Sequence, residues 1–146
     1  MAYTVEESLE MDVDPTVAFD TLADHGSWQE WMPSSFRPVG RSVGTLRVGA
    51  APRVRIAGLP LATPLPVTVV ERPREITWSG GNALLRGEHT FRFEATARGT
   101  RVTSSETWSG LLAWVLKPVL RRGAAHVGRA QLVGIRKGAM ARTSRP

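Results

Sequence analysis

The opening of the chain alternates between apolar and polar residues. Every second residue from Tyr3 to Val13 is apolar apart from Glu7, which predicts a half-buried strand with this glutamate on its apolar face. Asp14 and Pro15 follow directly. Because aspartate is a favourable N-cap and proline suits the first helical turn, a helix is predicted to begin here.

A second short helix is predicted immediately after the first. His25-Gly26 marks the end of the first helix, and Ser27 with Glu30 has the spacing of a capping box. Pro33 ends the second helix, since proline disrupts a helix interior. The chain is therefore expected to pass through two helices before it returns to extended structure.

The middle of the chain has the period of strands, interrupted by turns that contain glycine and proline. The predicted strands span residues 35–41, 44–57, 65–72, 74–80, 84–97 and 100–109. Residues 49–52, Gly-Ala-Ala-Pro, should bulge or bend the second of these strands. That bulge leaves the facing of Arg53 and Arg55 open.

The chain is predicted to close with a long helix over residues 111–140, where apolar residues follow helical spacing. Pro118 should kink this helix. The order of one strand, two short helices, six strands and one long helix predicts an α+β fold. In that fold a curved antiparallel sheet of about seven strands wraps around the C-terminal helix, and a cavity lies where sheet and helix do not touch.

Length and composition indicate one ordinary globular domain. The chain has 146 residues, of which 42% are hydrophobic and 22% charged. We expect a single domain over residues 1–141 and a disordered tail over residues 142–146. The absence of cysteine excludes disulfides. Without a signal-like or membrane-length apolar stretch, the expected location is the cytoplasm.

Basic residues are concentrated towards the C-terminus. The net charge is +6, and Arg122, Arg129 and Arg136 recur every seven residues along one side of the last helix. This stripe has two interpretations: a solvated helix face, or a surface that docks on an anionic membrane or an acidic partner. Nucleic acid is a weaker alternative, because the helix lacks interleaved aromatic residues. The oligomeric state stays open.

The sequence resembles a known superfamily in three segments. The resemblance rests on residues 13–19 (VDPTVAF), 22–33 (LADHGSWQEWMP) and 71–78 (ERPREITW), with the closing hairpin and helix. These segments resemble the START-like (SRPBCC) superfamily, and most of all its polyketide cyclase/dehydrase branch. The resemblance implies the helix-grip fold and a hydrophobic ligand. Because the superfamily includes polyketide cyclases, hydrophobic-ligand carriers, lipid-transfer proteins and quinone-binding proteins, the activity stays open.

Residues 88–110 place a glutamate among apolar residues. A two-residue turn at 98–99 would set Phe91 opposite Glu106 and His89 opposite Trp108 across a β-hairpin. A slip of one residue would reverse every face, but the apolar pattern argues against it. Glu106 and His89 are therefore predicted to share the inner face, where Glu7 on the neighbouring first strand could approach them.

The chemistry that these residues permit is proton transfer. Glu106 would act as a general base or acid with His89 as its partner, and His126 on the last helix could donate a hydrogen bond to an enolate oxygen. On a poly-β-ketone substrate, enolisation would lead to aldol closure or loss of water. The alternative is that Glu106 is a hydrated carboxylate near the cavity mouth and that His89 is an ordinary core histidine.

Aromatic residues suggest an apolar cup for a flat or greasy ligand. The residues predicted to line the cavity are Glu7, Trp31, Phe36, Trp78, Phe91, Phe93, Ser104, Trp108, Val115, Val119 and His126. Neither a metal nor a cofactor is expected, because the three histidines show no ligand spacing and no nucleotide-binding motif is present. Three functions remain open: a cyclase or dehydratase, a carrier of a lipid, quinone or other apolar ligand, and a protein that docks through its basic helix.

Overall fold

The structure, a computed structural model, describes residues 2–144. The elements in chain order are β1 (Ala2–Met11), α1 (Pro15–Ala23), a 3₁₀ turn (His25–Ser27), α2 (Trp28–Trp31), β2 (Phe36–Val39), β3 (Arg53–Ile56), β4 (Thr63–Pro64), β5 (Val67–Glu71), β6 (Glu75–Gly81), β7 (Arg86–Ala95), β8 (Thr100–Ser109), α3 (Leu111–Val115) and α4 (Lys117–Ser144).

The strands of the described chain form two antiparallel sheets. The larger sheet has the order β1-β8-β7-β6-β5, and the smaller one has the order β2-β3-β4. The predicted antiparallel α+β architecture with a long C-terminal helix is confirmed, and its strands are divided between sheets of five and three strands instead of forming one sheet of about seven. The predicted strand 44–57 is extended only over Arg53–Ile56, because Gly49 (φ +94°) and Pro52 interrupt it.

The helices after β1 begin where the sequence predicts. Asp14 caps α1, its carboxylate accepting a hydrogen bond from the Thr16 amide at 2.9 Å. The predicted capping box of α2 is wrong, since Ser27 makes no cap bond. The Ser27 hydroxyl instead donates to the Asp24 carbonyl (2.8 Å) and accepts from the Trp31 indole (2.9 Å), which binds α2 to the preceding turn.

The last helix packs closely on the larger sheet. Leu132 and Ile135 of α4 are fully buried in the core. A Cβ added at Gly134 would lie 2.5 Å from the Trp31 carbonyl oxygen, and one at Gly128 would lie 3.2 Å from the Ser104 hydroxyl. Because glycine lets backbones approach closely, α4 lies close to α2 at Gly134 and close to β8 at Gly128.

The two ends of the C-terminal helical region differ from the prediction. The expected kink at Pro118 is a break, since α3 ends at Val115 and α4 begins at Lys117. The helix then continues to Ser144, so the prediction of a disordered tail is wrong for residues 142–144, while residues 145–146 lie outside the described residues. Arg142 contacts the Asp24 carboxylate at 3.1 Å and ties the end of α4 to the turn before α2.

The arginines have separate environments. Arg129 donates to the Ser8 carbonyl at 3.1 Å, so one member of the predicted basic stripe is bound to β1. Arg53 and Arg55 alternate with buried Val54 and both are exposed, which settles their facing as outward.

Within residues 2–144, no helix combines the length and the apolar composition that crossing a bilayer requires.

Candidate functional site

The hairpin of β7 and β8 sets the geometry of the site. Its two-residue turn lies at Ala97-Arg98, one residue before the predicted position, because Thr96 and Gly99 exchange backbone hydrogen bonds and the Thr96 hydroxyl also accepts from the Gly99 amide at 3.1 Å. The predicted register is therefore wrong by two residues. Since side chains alternate with period two, the predicted faces are correct. The observed register places His89 directly opposite Glu106.

A short chain of side chains crosses the inner face of this hairpin. The His89 Nδ1 atom lies 3.0 Å from Glu106 Oε1, and its Nε2 atom lies 2.6 Å from Ser104 Oγ. In the neutral ring, Nδ1–H donates to the carboxylate and Nε2 accepts the proton of the serine hydroxyl. The histidine ring is thereby fixed at both nitrogens, and it orients the glutamate.

This arrangement resembles a Ser-His-carboxylate triad in its connectivity but not in its accessibility. Ser104 is only 3% exposed and lies under Gly128 of α4. A nucleophile must reach its substrate, and this hydroxyl has no such access. The accessible end of the chain is the carboxylate of Glu106, so Ser104 serves as an anchor for His89.

Two buried polar atoms at this end have no hydrogen-bond partner among the described residues. They are Glu106 Oε2, an acceptor, and Trp108 Nε1, a donor. Buried polar groups are normally paired, so such atoms call for an explanation. Both residues line the same cavity. A ligand that presents a polar hydrogen or an acidic C–H to one atom and a carbonyl oxygen to the other would complement them.

The cavity has a volume of about 150 Å³ and lies between the two sheets. Its lining residues are Phe36, Ile56, Leu59, Thr63, Leu65, Trp78, Ser79, Gly80, Gly81, Leu85, Gly87, Glu88, His89, Glu106 and Trp108. Leu59 is 49% exposed, so the cavity opens to solvent on the side of the loop between β3 and β4. The wall is apolar apart from a few groups, as is typical of small-molecule sites.

The prediction that the cavity lies between the sheet and α4 is wrong. Among the described residues, none that lines it belongs to α4. The physical reason is the close contact of Gly128 and Gly134 with the elements beneath them, which fills the space that the helix was expected to leave. The smaller sheet, which the sequence did not predict, stands off from β6–β8 and encloses the cavity instead.

Five predicted site residues are brought together at this cavity: Phe36, Trp78, His89, Glu106 and Trp108. Phe36 stacks on Trp78 with ring centroids 6.2 Å apart, and Trp78 contacts His89 edge-on at 5.3 Å. An aromatic cup is therefore present, and it contains fewer of the predicted aromatic residues than expected.

The other predicted residues lie elsewhere. Phe91 and Phe93 are buried core residues, and Ser104 lies behind His89. Trp31 borders a separate groove of about 280 Å³ between the short helices and the end of α4. Glu7 pairs with Ser104 on β8 and faces Gly128, not the cavity.

The predicted contributions of the last helix are wrong. Val115 and Val119 are 68% and 69% exposed, and His126 is exposed as well. These three side chains lie on the solvent-exposed side of α3 and α4, and none of them lines the cavity. His126 therefore cannot donate to a ligand in the cavity, and the Trp108 indole is the donor that the structure offers in its place.

Sequence reasoning missed the glycines of the site. A Cβ added at Gly87 would lie 3.1 Å from the Trp108 ring, so the indole rests on bare backbone. Gly80 and Gly81 line the wall beside it. Glycines in strand interiors weaken a sheet and often mark close approach, and that signal was present in the sequence.

The third histidine, His25, is buried away from the cavity and holds the loop around Val43. His25 is 3% exposed, its Nδ1 atom accepts from the Val43 amide at 3.0 Å, and its ring meets Trp28 edge-on. Burial lowers the pKa of His25 below its usual 6.5, and nearby Asp24 opposes this only in part. Within residues 2–144, no group of three or more potential metal-ligating side chains converges.

Comparison with known proteins identifies the family. The family model described as polyketide cyclase / dehydrase and lipid transport matches residues 2–140, so the chain belongs to this family. No curated protein matches the chain in sequence.

Solved structures share the fold at low identity. A Staphylococcus aureus protein of unknown function aligns with a TM-score of 0.75 at 10% identity, covering 99% of this chain and 98% of that one. Norcoclaurine synthase from Thalictrum flavum, in complex with dopamine and hydroxybenzaldehyde, aligns at 0.73 and 12%, covering 100% and 90%. The di-domain ARO/CYC BexL from the BE-7585A biosynthetic pathway aligns at 0.71 and 17%, covering 99% and 51%. At these identities the likeness establishes the helix-grip fold.

Proposed function

We propose that this protein binds a small, flat, largely apolar carbonyl compound in the cavity and that Glu106 transfers a proton on it. The observation that carries the proposal is the Glu106 carboxylate, which His89 holds by one oxygen while its second oxygen is buried at the cavity without a partner among the described residues. A base held in this way is ready for a hydrogen that the ligand brings.

The site supports the parts of an enolisation. The free oxygen of Glu106 would take a proton from the carbon next to a carbonyl. The electron pair of that C–H bond would form a carbon–carbon double bond, and the π pair of the carbonyl would move onto its oxygen. The Trp108 indole N–H would donate a hydrogen bond to the oxyanion that forms. His89 would keep the carboxylate in position, because Ser104 fixes its other nitrogen.

The enolate can then react in two ways. It can attack a second carbonyl of the same molecule and form a carbon–carbon bond, after which the protonated Glu106 returns its proton to the new alkoxide. Alternatively, the acid form protonates a hydroxyl at the β-carbon, which leaves as water while the enolate forms the double bond. Both outcomes fit a family described by cyclases and dehydrases.

The size of the cavity limits the ligand. A volume of about 150 Å³ is smaller than the roughly 300–1,000 Å³ of typical drug-sized pockets. It suits one small ring or the reacting end of a longer molecule. A longer substrate would extend past Leu59 into the opening beside the loop between β3 and β4.

A simple aromatic ketone tests the proposal. In D₂O, NMR would follow exchange of the methyl hydrogens of acetophenone, and protein chemical shifts would report its binding. Glu106→Gln should slow the catalysed exchange by roughly 100-fold or more while the ketone still binds. Glu94→Gln is the matched control, since Glu94 is an exposed carboxylate on the same strand as His89. Ketone binding with no exchange above background in the natural protein would contradict catalysis.

A second candidate function is a carrier without chemistry. It is favoured by the apolar wall of the cavity and by the lipid transport in the family description. The carrier function predicts that protein purified under gentle conditions retains an apolar molecule visible by native mass spectrometry. It also predicts that Glu106→Gln changes affinity alone.

A further inference from the structure

The segment that joins β8 to α4 exposes a continuous run of apolar side chains. We call residues 111–122 the elbow; it contains α3, Leu116 and the first residues of α4. Leu111, Val115 and Val119 are 68%, 68% and 69% exposed. Leu112 and Leu116 add side chains that are 39% and 38% exposed. Large exposed apolar surfaces on a folded chain mark sites of interaction.

The elbow is fixed in place although little of it is buried. The Tyr3 hydroxyl donates to the Ala113 carbonyl at 2.7 Å, and Ala113 is fully buried. The Leu112 amide donates to the Leu84 carbonyl at 2.9 Å. Leu84 is itself 55% exposed and extends the apolar surface onto the turn between β6 and β7. The surface is therefore presented by a defined backbone.

The charge beside this surface is positive. Lys117, Arg121 and Arg122 belong to the elbow, and the sequence contains no acidic residue after Glu106. Within residues 2–144, no carboxylate lies within salt-bridge distance of these three cations. The Lys117 ammonium lies 5.2 Å from the centre of the Tyr3 ring, at the base of the elbow.

We propose that the elbow docks on an anionic lipid bilayer. Leucine and valine side chains beside lysine and arginine are typical of helices that bind at the membrane interface. The apolar side chains would enter the boundary between headgroups and acyl chains, and Lys117, Arg121 and Arg122 would contact lipid phosphates. Only Arg122 is shared between this surface and the predicted stripe of Arg122, Arg129 and Arg136, in which Arg129 is bound to the Ser8 carbonyl.

The charge pattern favours a bilayer over a second copy of the chain. A twofold interface brings the same patch of both copies together, so the three cations of each copy would lie close to those of the other. An anionic bilayer accepts the apolar side chains and the cations at once. The docking does not depend on the chemistry proposed for Glu106.

The test is sedimentation of the full chain with vesicles. The natural protein should bind vesicles of phosphatidylcholine and phosphatidylglycerol in equal parts, should bind pure phosphatidylcholine weakly, and should lose binding as salt rises. Removing two cations with Arg121→Ser and Arg122→Ser should lower the partition coefficient roughly 30-fold. Combining Leu111→Ser, Val115→Ser and Val119→Ser should lower it at least about tenfold, since each side chain loses its insertion into the bilayer.

The controls separate the elbow from other exposed groups. Val48→Ser removes an apolar side chain that is 63% exposed in the loop between β2 and β3, and binding should not change. Glu106→Gln should bind vesicles like the natural protein, whatever its effect on exchange. Absence of binding to the anionic vesicles, or unchanged binding by the triple serine variant, overturns the proposal. If analytical ultracentrifugation showed that the natural protein is a dimer and the triple serine variant a monomer, the surface would be assigned to a second copy of the chain instead.

Discussion

The two ends of α4 have the same apolar spacing but opposite environments. In the C-terminal half, Leu132, Ile135 and Ala139 are fully buried against the larger sheet and the short helices. At the N-terminal end, Val119 is 69% exposed, and the neighbouring α3 is exposed on most of its surface. Apolar periodicity therefore identifies a helix without showing which part of it covers the core.

Glycines occur at both ends of α4, and the two ends differ in what lies opposite to these glycines. A Cβ at Gly134 or Gly138 would come within 2.5 to 2.9 Å of Trp31 or Thr21, whereas a Cβ at Gly123 would have nothing within 4 Å. Where a helix backbone touches a neighbouring element, close packing requires glycine. Where the helix faces open space, a larger residue would also fit. The lesson is that a glycine in a helix has to be interpreted together with what lies opposite to it.

The largest effect is expected from Gly134→Ala. The new Cβ would lie 2.5 Å from the backbone oxygen of Trp31, which cannot rotate away, so the helix must shift. Overpacking of this kind costs about 1–3 kcal/mol. Urea denaturation should show a lower free energy of unfolding. A variant as stable as the natural protein would mean that α4 does not touch α2 as described.

A smaller effect at the packed end should depend on pH. The pKa of His25 is below its usual 6.5 because the ring is buried, so the folded protein binds the proton less readily than the unfolded chain. The stability that the buried neutral ring contributes is therefore present above pH 6.5 and is lost as the pH falls below 6.5 towards the lower pKa of the folded protein. Urea midpoints at pH 7.5 and pH 5.5 should differ, and His25→Gln should reduce the difference.

The pH-dependent stability that Asp20 contributes changes below the interval from pH 7.5 to pH 5.5, so Asp20 serves as the internal control. The hydrogen bond from Arg72 holds the pKa of Asp20 below its usual 3.8, so the stability from this pair is lost only at still lower pH. If Asp20→Asn changed the difference between pH 7.5 and pH 5.5 as much as His25→Gln does, the assignment to His25 would be wrong.

The smallest effect, and one of opposite sign, is expected from Gly123→Ala at the open end. Alanine is more favourable than glycine in a helix by up to about 1 kcal/mol, and nothing lies near the added methyl group. The free energy of unfolding should rise slightly. The pair Gly134→Ala and Gly123→Ala is the same substitution in the same helix, so a difference between them measures packing. If Gly123→Ala lowered the free energy of unfolding, the difference in packing between the two ends of α4 would be contradicted.

Much of the fold could be predicted because local signals agree with it. Alternation identified β1, β7 and β8, and the pair Asp14-Pro15 identified the start of α1. The smaller sheet was not predictable, since residues 40–66 are rich in glycine and proline and their pairing depends on distant contacts. The position of the β7–β8 turn was also missed by one residue, because the hydrogen bonds between Thr96 and Gly99 place it at Ala97-Arg98 rather than at residues 98–99.

The site was predictable in part. The shared face of His89 and Glu106 survives an error of two residues in register, since only an odd slip reverses a face. The proposed donor His126 failed for a different reason: its position on a helical face was compatible with burial, but that end of the helix is not covered. The Trp108 indole could have been found from Gly87, once the register had brought the two residues opposite each other.

The division of the cavity wall between two sheets has a consequence for how such proteins diversify. Glu106 and His89 belong to the larger sheet, whereas Ile56, Leu59 and Thr63 belong to the smaller sheet and its connecting loop. Insertions or deletions between β3 and β4 would therefore change the cavity entrance and the ligands that can enter it, while Glu106 and His89 keep their spacing. Libraries for altered selectivity are best built in residues 57–62, because this largely exposed loop contributes Leu59 to the cavity wall and none of its residues belongs to a strand.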